Sequence, residues 1–471
     1  MLAAMPGMPE LRAGAFDLAS QGYVAAEFEL SGTASSFRLS GGGADGRWSA
    51  DSETSAGFVT RLVVFRPSNP DRFSGIVLAE WLNISSGGEV AAAWANLHRE
   101  AIRAGHAYVG ISCQLGGIEG GGGDLGIGNL PLRAADPGRY ARLDHPGDAF
   151  SFDIFAQALA AIEREPGKLF GSSGYRYAIA TGVSQSAWFL TSFFNVFAGS
   201  AACRGYLVHA RFDGVAPLEA PDIYAPPANS GVGFRTDIDI PLLAILSETD
   251  VLDLGLPQGG YAHARQRPSD HVRIWEIAGS AHSDQAIFSV AEHDVDGLAP
   301  SRRRLVWRPR ANILGRELAQ PINAAPQQYF IAQAALRRLV EWIDHDIAPP
   351  LVPPIALAAP EPATARRDAS GIAEGGVRSP WTDAPLMAHS ALPSSPDVVA
   401  RLAGQSRPLG REAIEALYPG GRADYLARFR AALDRAVAAG VLLEENHAEI
   451  IDLGDAAWDW ASRYAGAGEA S

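Results

Sequence analysis

Short continuous apolar runs alternate with amphipathic stretches along most of this chain, and that alternation limits the architectures open to it. GIVLAEWLN (75–83), AYVGISC (107–113), YRYAIATG (175–182), GYLVHA (205–210), PLLAILS (241–247) and VRIWEIAG (272–279) are bounded by turn residues and read as strands buried on both faces. Helical periodicity runs through VAAAWANLHREAIRAG (90–105), DAFSFDIFAQALAAIERE (148–165), QSAWFLTSFFNVFA (185–198) and PQQYFIAQAALRRLVEWIDH (326–345). Strands alternating with helices imply an α/β protein whose mostly parallel sheet carries helices on both faces.

Flanking segments are less regular. AAEFELSG (25–32) and FVTRLVVFRP (58–67) read as strands separated by a Gly/Ser-rich loop, and GGIEGGGGDLGIGNL (116–130) reads as loop alone. Residues 211–240 are Pro/Gly-rich with little periodicity and resemble a cap-like insertion between two core strands. Pro-rich PPLVPPIALAAPEPATA (349–365) reads as a linker or surface strap, and two helical patterns follow near 411–418 and 422–440. The expected organisation is a catalytic domain over 1–350 and a helical C-terminal extension, 351–471, packed on it.

Composition excludes several partners. A formal net charge of -14 disfavours nucleic acid, whose phosphates need a basic face. No run of 18 apolar residues exists, so no transmembrane helix is expected. The opening MLAAMPGMPELRAG lacks a basic region followed by an apolar one. A soluble, cytoplasmic protein is expected unless an export signal has been removed. Two cysteines, Cys113 and Cys203, make no disulfide framework. There is no H-E-x-x-H, no paired C-x-x-C and no glycine loop ending in Lys-Ser or Lys-Thr, so neither a metal nor a cofactor is expected.

The segment that carries chemistry is strand–GVSQS–helix, Gly182 to Ser186. In an α/β hydrolase the nucleophile sits on a sharp strand-to-helix turn that requires small residues two positions before and after it. Gly182 meets that need, and Ser186 replaces the usual second glycine with another small residue. Ser184 is thereby the candidate nucleophile. The partners follow in the fold's chain order: Glu248 and Asp250 after PLLAILS, then His282 after VRIWEIAG. Glu248 and Asp250 are two residues apart and share a face in extended chain, so period leaves both open as the acid. Asp250 lies further past the strand end and is the expected choice, with Glu248 the alternative. Oxyanion donors are expected from the Gln185 N–H and from the loop at Asn83 and Ile84, where Asn83 reads equally as a turn residue satisfying its own backbone. Trp81, Gln114, Tyr224 and Phe234 are expected to line the substrate pocket.

These stretches resemble a known family. TRLVVFRP…GIVLAEWLNIS, YVGISCQLGG, DPGRYARLDHPGDAFSFDIFAQ, GVSQSAW, LVHARFDG, SETD, WEIAGSAHSD, QPINAAPQQYFIAQAALRRLVEW and GGVRSPWTDAP are similar to the alpha/beta hydrolase domain-containing proteins, a bacterial-dominated family of serine hydrolases. The resemblance covers roughly residues 20 to 460. It implies the α/β-hydrolase fold, Ser184 as nucleophile, His282 as base and the SETD segment as source of the acid. It also implies that Gln114, Asp136, Arg139, Tyr140, His145 and Asp148 are structural or pocket elements beside the site. The expected activity is hydrolysis of a small-molecule carboxylic ester through an acyl-enzyme. An acyltransferase or thioesterase with the same triad, or a catalytically silent binding protein on this fold, are the alternatives.

Overall fold

The computed structural model describes residues 1–14, 17–121, 123, 128–219, 230–256, 259–292 and 299–465. Nine strands form one sheet: β1 (Leu2–Met5), β2 (Tyr23–Gly41), β3 (Ser49–Pro67), β4 (Ile76–Trp81), β5 (Ala107–Ile111), β6 (Tyr177–Val183), β7 (Gly205–His209), β8 (Leu242–Ser247) and β9 (Val272–Ile277). Their order is β1-β2-β3-β5-β4-β6-β7-β8-β9. From β5 to β9 every pairing is parallel, whereas β1, β2 and β3 are antiparallel and join the rest through an antiparallel β3–β5 ladder.

The parallel strands are apolar throughout because both of their faces are covered. Leu78, Ile179, Leu207 and Leu243 point into one core, shared with the Ala92–Ala104 and Gln327–His345 helices. Their chain neighbours Val77, Ala178, Tyr206 and Leu242 point into the other, shared with the Ser151–Arg164 and Gln185–Phe197 helices. This two-residue alternation between two buried faces is the reason the strands read as unbroken hydrophobic runs.

Two expectations are corrected here. The Gly/Ser-rich stretch expected as a loop between the first strands is mostly strand, with a loop only over 42–48: β2 and β3 each run 19 residues and remain paired through Ser35 and Ser55. Small side chains suffice there because the hairpin leans on the Ser151–Arg164 helix, where the Ser35 N–H donates to Asp153 (2.7 Å) and Gln157 donates to the Thr33 carbonyl (2.8 Å). The 116–130 segment is not loop alone, since Leu115–Glu119 closes a short helix against Leu132 and Tyr140.

The C-terminal residues share the main core. Trp381, Phe429, Leu433 and Leu453 belong to the same apolar cluster as Leu243 and Trp275, and Phe330 stacks on Trp381 at 6.1 Å. The Pro-rich stretch is a strap along β9: the Trp275 indole donates to the Pro350 carbonyl (3.0 Å) and the Ile355 N–H to Glu276 (2.8 Å). No described helix is long and apolar enough to cross a membrane.

Candidate active site

The parallel strands deliver their C-terminal ends to one edge of the sheet, where β6, β7, β8 and β9 lie side by side. β6 turns directly into the Gln185–Phe197 helix, and the turn residue Ser184 takes φ 60° and ψ -121°. A positive φ in a non-glycine residue is strained and needs surrounding structure to enforce it. Here the Ser184 N–H donates to the His209 carbonyl at 3.0 Å, and Gly182 gives the chain room to double back. A β-carbon on Gly182 would lie 2.9 Å from the Ser186 carbonyl oxygen. Ser186 is more than a small residue: its hydroxyl accepts from the Val183 N–H (2.9 Å) and donates to the Val183 carbonyl (3.0 Å), bracing the turn.

His282, on the loop after β9, reaches back to this turn. Its Nε2 lies 2.9 Å from the Ser184 hydroxyl and its Nδ1 lies 2.6 Å from Asp250 Oδ1. A carboxylate only accepts, so the ring proton sits on Nδ1 and Nε2 is left to accept from Ser184. Asp250 is held by its own loop: Oδ2 receives the Ser247 N–H (2.6 Å) and hydroxyl (2.7 Å), which caps the short Glu248–Val251 helix. Phe212, just past β7, stacks on the His282 ring at 4.9 Å. His209 lies beneath, and burial drives its imidazole down to about 4, which keeps it neutral.

Glu248 faces elsewhere. It accepts from the Gly279 N–H (3.0 Å) and the Ala391 N–H (3.2 Å) and pairs with the Arg367 guanidinium, while its own N–H donates to Ser280 (3.2 Å). The His282 loop is gripped further by Asn323, whose amide donates to the Gly279 carbonyl (3.0 Å), by Gln327 to the Ala278 carbonyl (2.8 Å), and by the Leu402 carbonyl, which accepts from Ser283 (2.9 Å).

On the other side of Ser184, Asn83 is fully engaged. Its N–H donates to the Val90 carbonyl (3.2 Å), its amide donates to the Val183 carbonyl (2.8 Å), and its side-chain oxygen accepts from the Ser85 N–H (2.9 Å). The Ile84 N–H points instead at the Gln185 side chain, 3.3 Å from Oε1. The Gln185 N–H opens the helix, where no carbonyl four residues back exists within the helix to receive it. Trp81 is buried among Phe152, Phe155 and Phe189, and its indole N–H donates to Gln114 (3.2 Å). Phe234 is buried beneath the Arg211 guanidinium, 4.8 Å away, beside Phe194. Core packing thus places both rings in the interior. Tyr224 lies outside the described residues.

The residues implied by the family resemblance fix the loop after β5. Asp136 accepts from the Arg139 N–H (2.9 Å), and Arg139 and Tyr140 both bind Glu27, Arg139 Nε at 2.7 Å and the phenol at 3.1 Å. His145 donates to the Cys113 carbonyl (2.8 Å), and Asp148 accepts from the Leu115 N–H (2.7 Å). Sequence reasoning did not single out Ser247, Phe212, Asn323 or Gln327, since no spacing rule links them to the site. Among the described residues no group of three or more His, Cys, Asp or Glu side chains is arranged to hold a metal ion.

A strained serine turn between a strand and a helix of a mostly parallel sheet, with carboxylates and a histidine beyond later strand ends, is the arrangement of the α/β-hydrolase fold. The chain belongs to the family described as "Alpha/beta hydrolase domain" (Abhydrolase_10), whose model matches residues 3–452. No curated protein matches it. Among solved structures it is similar to a putative dienelactone hydrolase from Klebsiella pneumoniae, at 15% identity over 59% of this chain and 95% of that one, with a TM-score of 0.31. It is also similar to a cold-adapted esterase from an Arctic intertidal metagenomic library, at 15% identity over 54% and 86% of the two chains with a TM-score of 0.28. A thermostable esterase from Pseudomonas putida follows at 12% identity, 50% and 66% coverage, and a TM-score of 0.26.

Proposed function

We propose that this protein is a serine hydrolase that cleaves a small-molecule carboxylic ester through an acyl-enzyme on Ser184, with His282 as general base and Asp250 as the triad acid. The observation that carries this reading is the continuous relay from Ser184 Oγ to His282 Nε2 (2.9 Å) and from Nδ1 to Asp250 (2.6 Å), anchored on a strained turn residue. A serine hydroxyl is a weak nucleophile until an imidazole takes its proton, and the carboxylate fixes the tautomer that can do so.

In the first half-reaction Ser184 Oγ bonds to the ester carbonyl carbon as its proton passes to His282 Nε2. The tetrahedral oxyanion is met by the Gln185 and Ile84 N–H groups. Collapse breaks the ester C–O bond, and His282 returns the proton to the leaving alcohol. Water then repeats the sequence on the acyl-enzyme and regenerates Ser184. Glu248 is set aside as the acid because its carboxylate is committed to Arg367, Gly279 and Ala391.

The test is labelling with a fluorophosphonate probe, followed by turnover of chromogenic esters of graded acyl length. Labelling at Ser184 and its loss in Ser184→Ala are expected, with kcat in that variant lower by roughly 10⁴- to 10⁶-fold. Near-normal ester hydrolysis by Ser184→Ala would sink the serine mechanism.

A further inference from the structure

The interior beside Ser184 holds a chain of side-chain amides whose orientations are forced one after another. The Trp81 indole N–H can only donate, and it meets Gln114 at 3.2 Å, so the Gln114 atom there is the carbonyl oxygen. That same oxygen lies 2.8 Å from the Gln185 side chain, which must therefore present its NH₂. The far end of the Gln185 carboxamide is then its oxygen, and it faces the Ile84 N–H at 3.3 Å, a group that again can only donate. Trp81 and Gln114 are 0% exposed, Ile84 2% and Gln185 3%, so bulk water has no ready access to substitute for a missing partner. From Trp81 to Ile84 no amide in the series can flip without setting two donors or two acceptors against each other.

We infer that Gln185 serves the oxyanion hole twice, with its own N–H as one donor and its side-chain oxygen as the group that aims the second donor, the Ile84 N–H. Gln114 is the positioning residue that fixes which way the Gln185 carboxamide faces. This rests on the serine-hydrolase reading of the site.

The geometry suits a donor that has to change partners during the reaction. A 3.3 Å contact to a neutral amide lies beyond the usual 2.7–3.2 Å range, so the resting bond is weak. An oxyanion forming on the Ser184 adduct is charged, and charge-assisted bonds are shorter and about twice as strong as neutral ones. The Ile84 N–H is thus held in line by a bond that is easily given up, and it gains a better partner only when the transition state appears. An interaction stronger in the transition state than in the ground state is the kind that raises kcat. Ala or Gly at position 185 would keep the first donor and leave the second unguided.

The test uses the full-length protein with Gln114→Met, which keeps bulk but removes the acceptor, and Trp81→Phe, which removes the donor that orients Gln114. Each is measured for kcat and KM on a p-nitrophenyl ester and for inhibition by phenylboronic acid, whose serine adduct places a tetrahedral oxygen in the oxyanion hole. For Gln114→Met, kcat should fall roughly 10- to 100-fold with KM within about threefold, and the boronate Ki should rise by a similar factor, up to the low end of the roughly 10²- to 10³-fold cost of deleting an oxyanion donor outright, because the Ile84 N–H is misaimed rather than removed. Trp81→Phe should move kcat and Ki the same way by about three- to tenfold, and it decides alone if Gln114→Met does not fold. Folded variants whose kcat and Ki stay within twofold of wild type overturn the inference, whatever happens to their melting temperatures. Wild-type protein that fluorophosphonate does not label at Ser184 overturns the serine reading beneath it; labelled wild type with unaffected variants overturns only the role of Gln114.

Discussion

Glu248 and Arg367 form an ion pair that ties the loop after β8 to the C-terminal strap, with the carboxylate side chain wholly buried and the guanidinium 18% exposed. The same carboxylate accepts from Gly279 at the root of the His282 loop and from Ala391 in the C-terminal region. One side chain thus joins three segments whose alignment sets where His282 sits, while its neighbour Asp250 contacts the imidazole itself.

That division of labour separates two carboxylates only two residues apart. Asp250→Asn should remain folded and lose roughly 10⁴-fold in kcat, because an amide beside Nδ1 favours the wrong imidazole tautomer. Glu248→Gln should retain most of kcat but melt at a lower temperature, since removing the charge from a buried, multiply bonded group costs about 1–3 kcal/mol. Steady-state kinetics and thermal melts on the two purified variants decide it. A Glu248→Gln protein as inactive as Asp250→Asn would contradict the assignment of the acid.

The serine turn carries a second prediction. Gly182→Ala would push a methyl to within 2.9 Å of the Ser186 carbonyl, backbone that cannot swing aside, so the turn must shift and Ser184 with it. A fall in kcat of at least 100-fold is expected, on the scale that misplacement by about 1 Å produces. Ser186→Gly instead creates the commoner motif at this turn. It loses both hydrogen bonds to Val183 and adds backbone entropy at the start of a helix, so stability should fall by about 1–2 kcal/mol while kcat stays within about threefold. Urea titration and ester turnover of both variants give the comparison. A more active, more stable Ser186→Gly would show that the hydroxyl braces nothing.

Some of this was legible in the sequence and some was not, for physical reasons. Strands β4 to β8 are buried on both faces, so their apolar runs stand out whatever lies around them. The long arms of β2 and β3 are Ser, Thr and Gly for much of their length, and only the partner strand and the Ser151–Arg164 helix make them strand. The candidate site divides in the same way. Chain order and strand ends pointed to Ser184, Asp250 and His282, and the offset past β8 favoured Asp250 over Glu248, but only the fold shows Asp250 on the imidazole and Glu248 turned to Arg367. Nothing in the spacing of Trp81, Gln114 and Gln185 announces that they meet, because their contact is made by three parallel strands brought side by side.

Both thiols should be inert in the folded protein. Cys113 and Cys203 are free and buried, and burial pushes Cys203 up to about 12 and Cys113 well above the ordinary thiol value. Only the thiolate reacts with disulfide reagents. Ellman's reagent should therefore titrate no thiol in native protein and two after denaturation. A rapid native reaction at either position would show that its strand end opens to solvent.

Stability should depend on acid in a way that single substitutions can dissect. Burial drives the imidazoles of His106, His209 and His389 down to about 4 from an ordinary 6.5. The folded state therefore refuses protons that the unfolded chain accepts between those values. Their contribution is complete above pH 6.5, is lost as pH falls from 6.5 toward 4, and changes no further below that. Glu80 and Asp284 act in the opposite sense: burial lifts both carboxyls to about 7, so the folded state takes up a proton before the unfolded chain does and is favoured as pH falls from 7. His389 offers a clean reporter because burial alone accounts for its shift and its Nδ1 is bonded to Ser406 at 2.7 Å. Each fully refused proton is worth about 1.4 kcal/mol per pH unit. Unfolding free energies from urea titrations between pH 7 and pH 5 should therefore fall less steeply for His389→Gln than for wild type, by roughly that slope. Glu80→Gln removes an opposing contribution and should make the fall steeper. Equal slopes for all three proteins would mean that these buried groups keep the proton affinity they have in water.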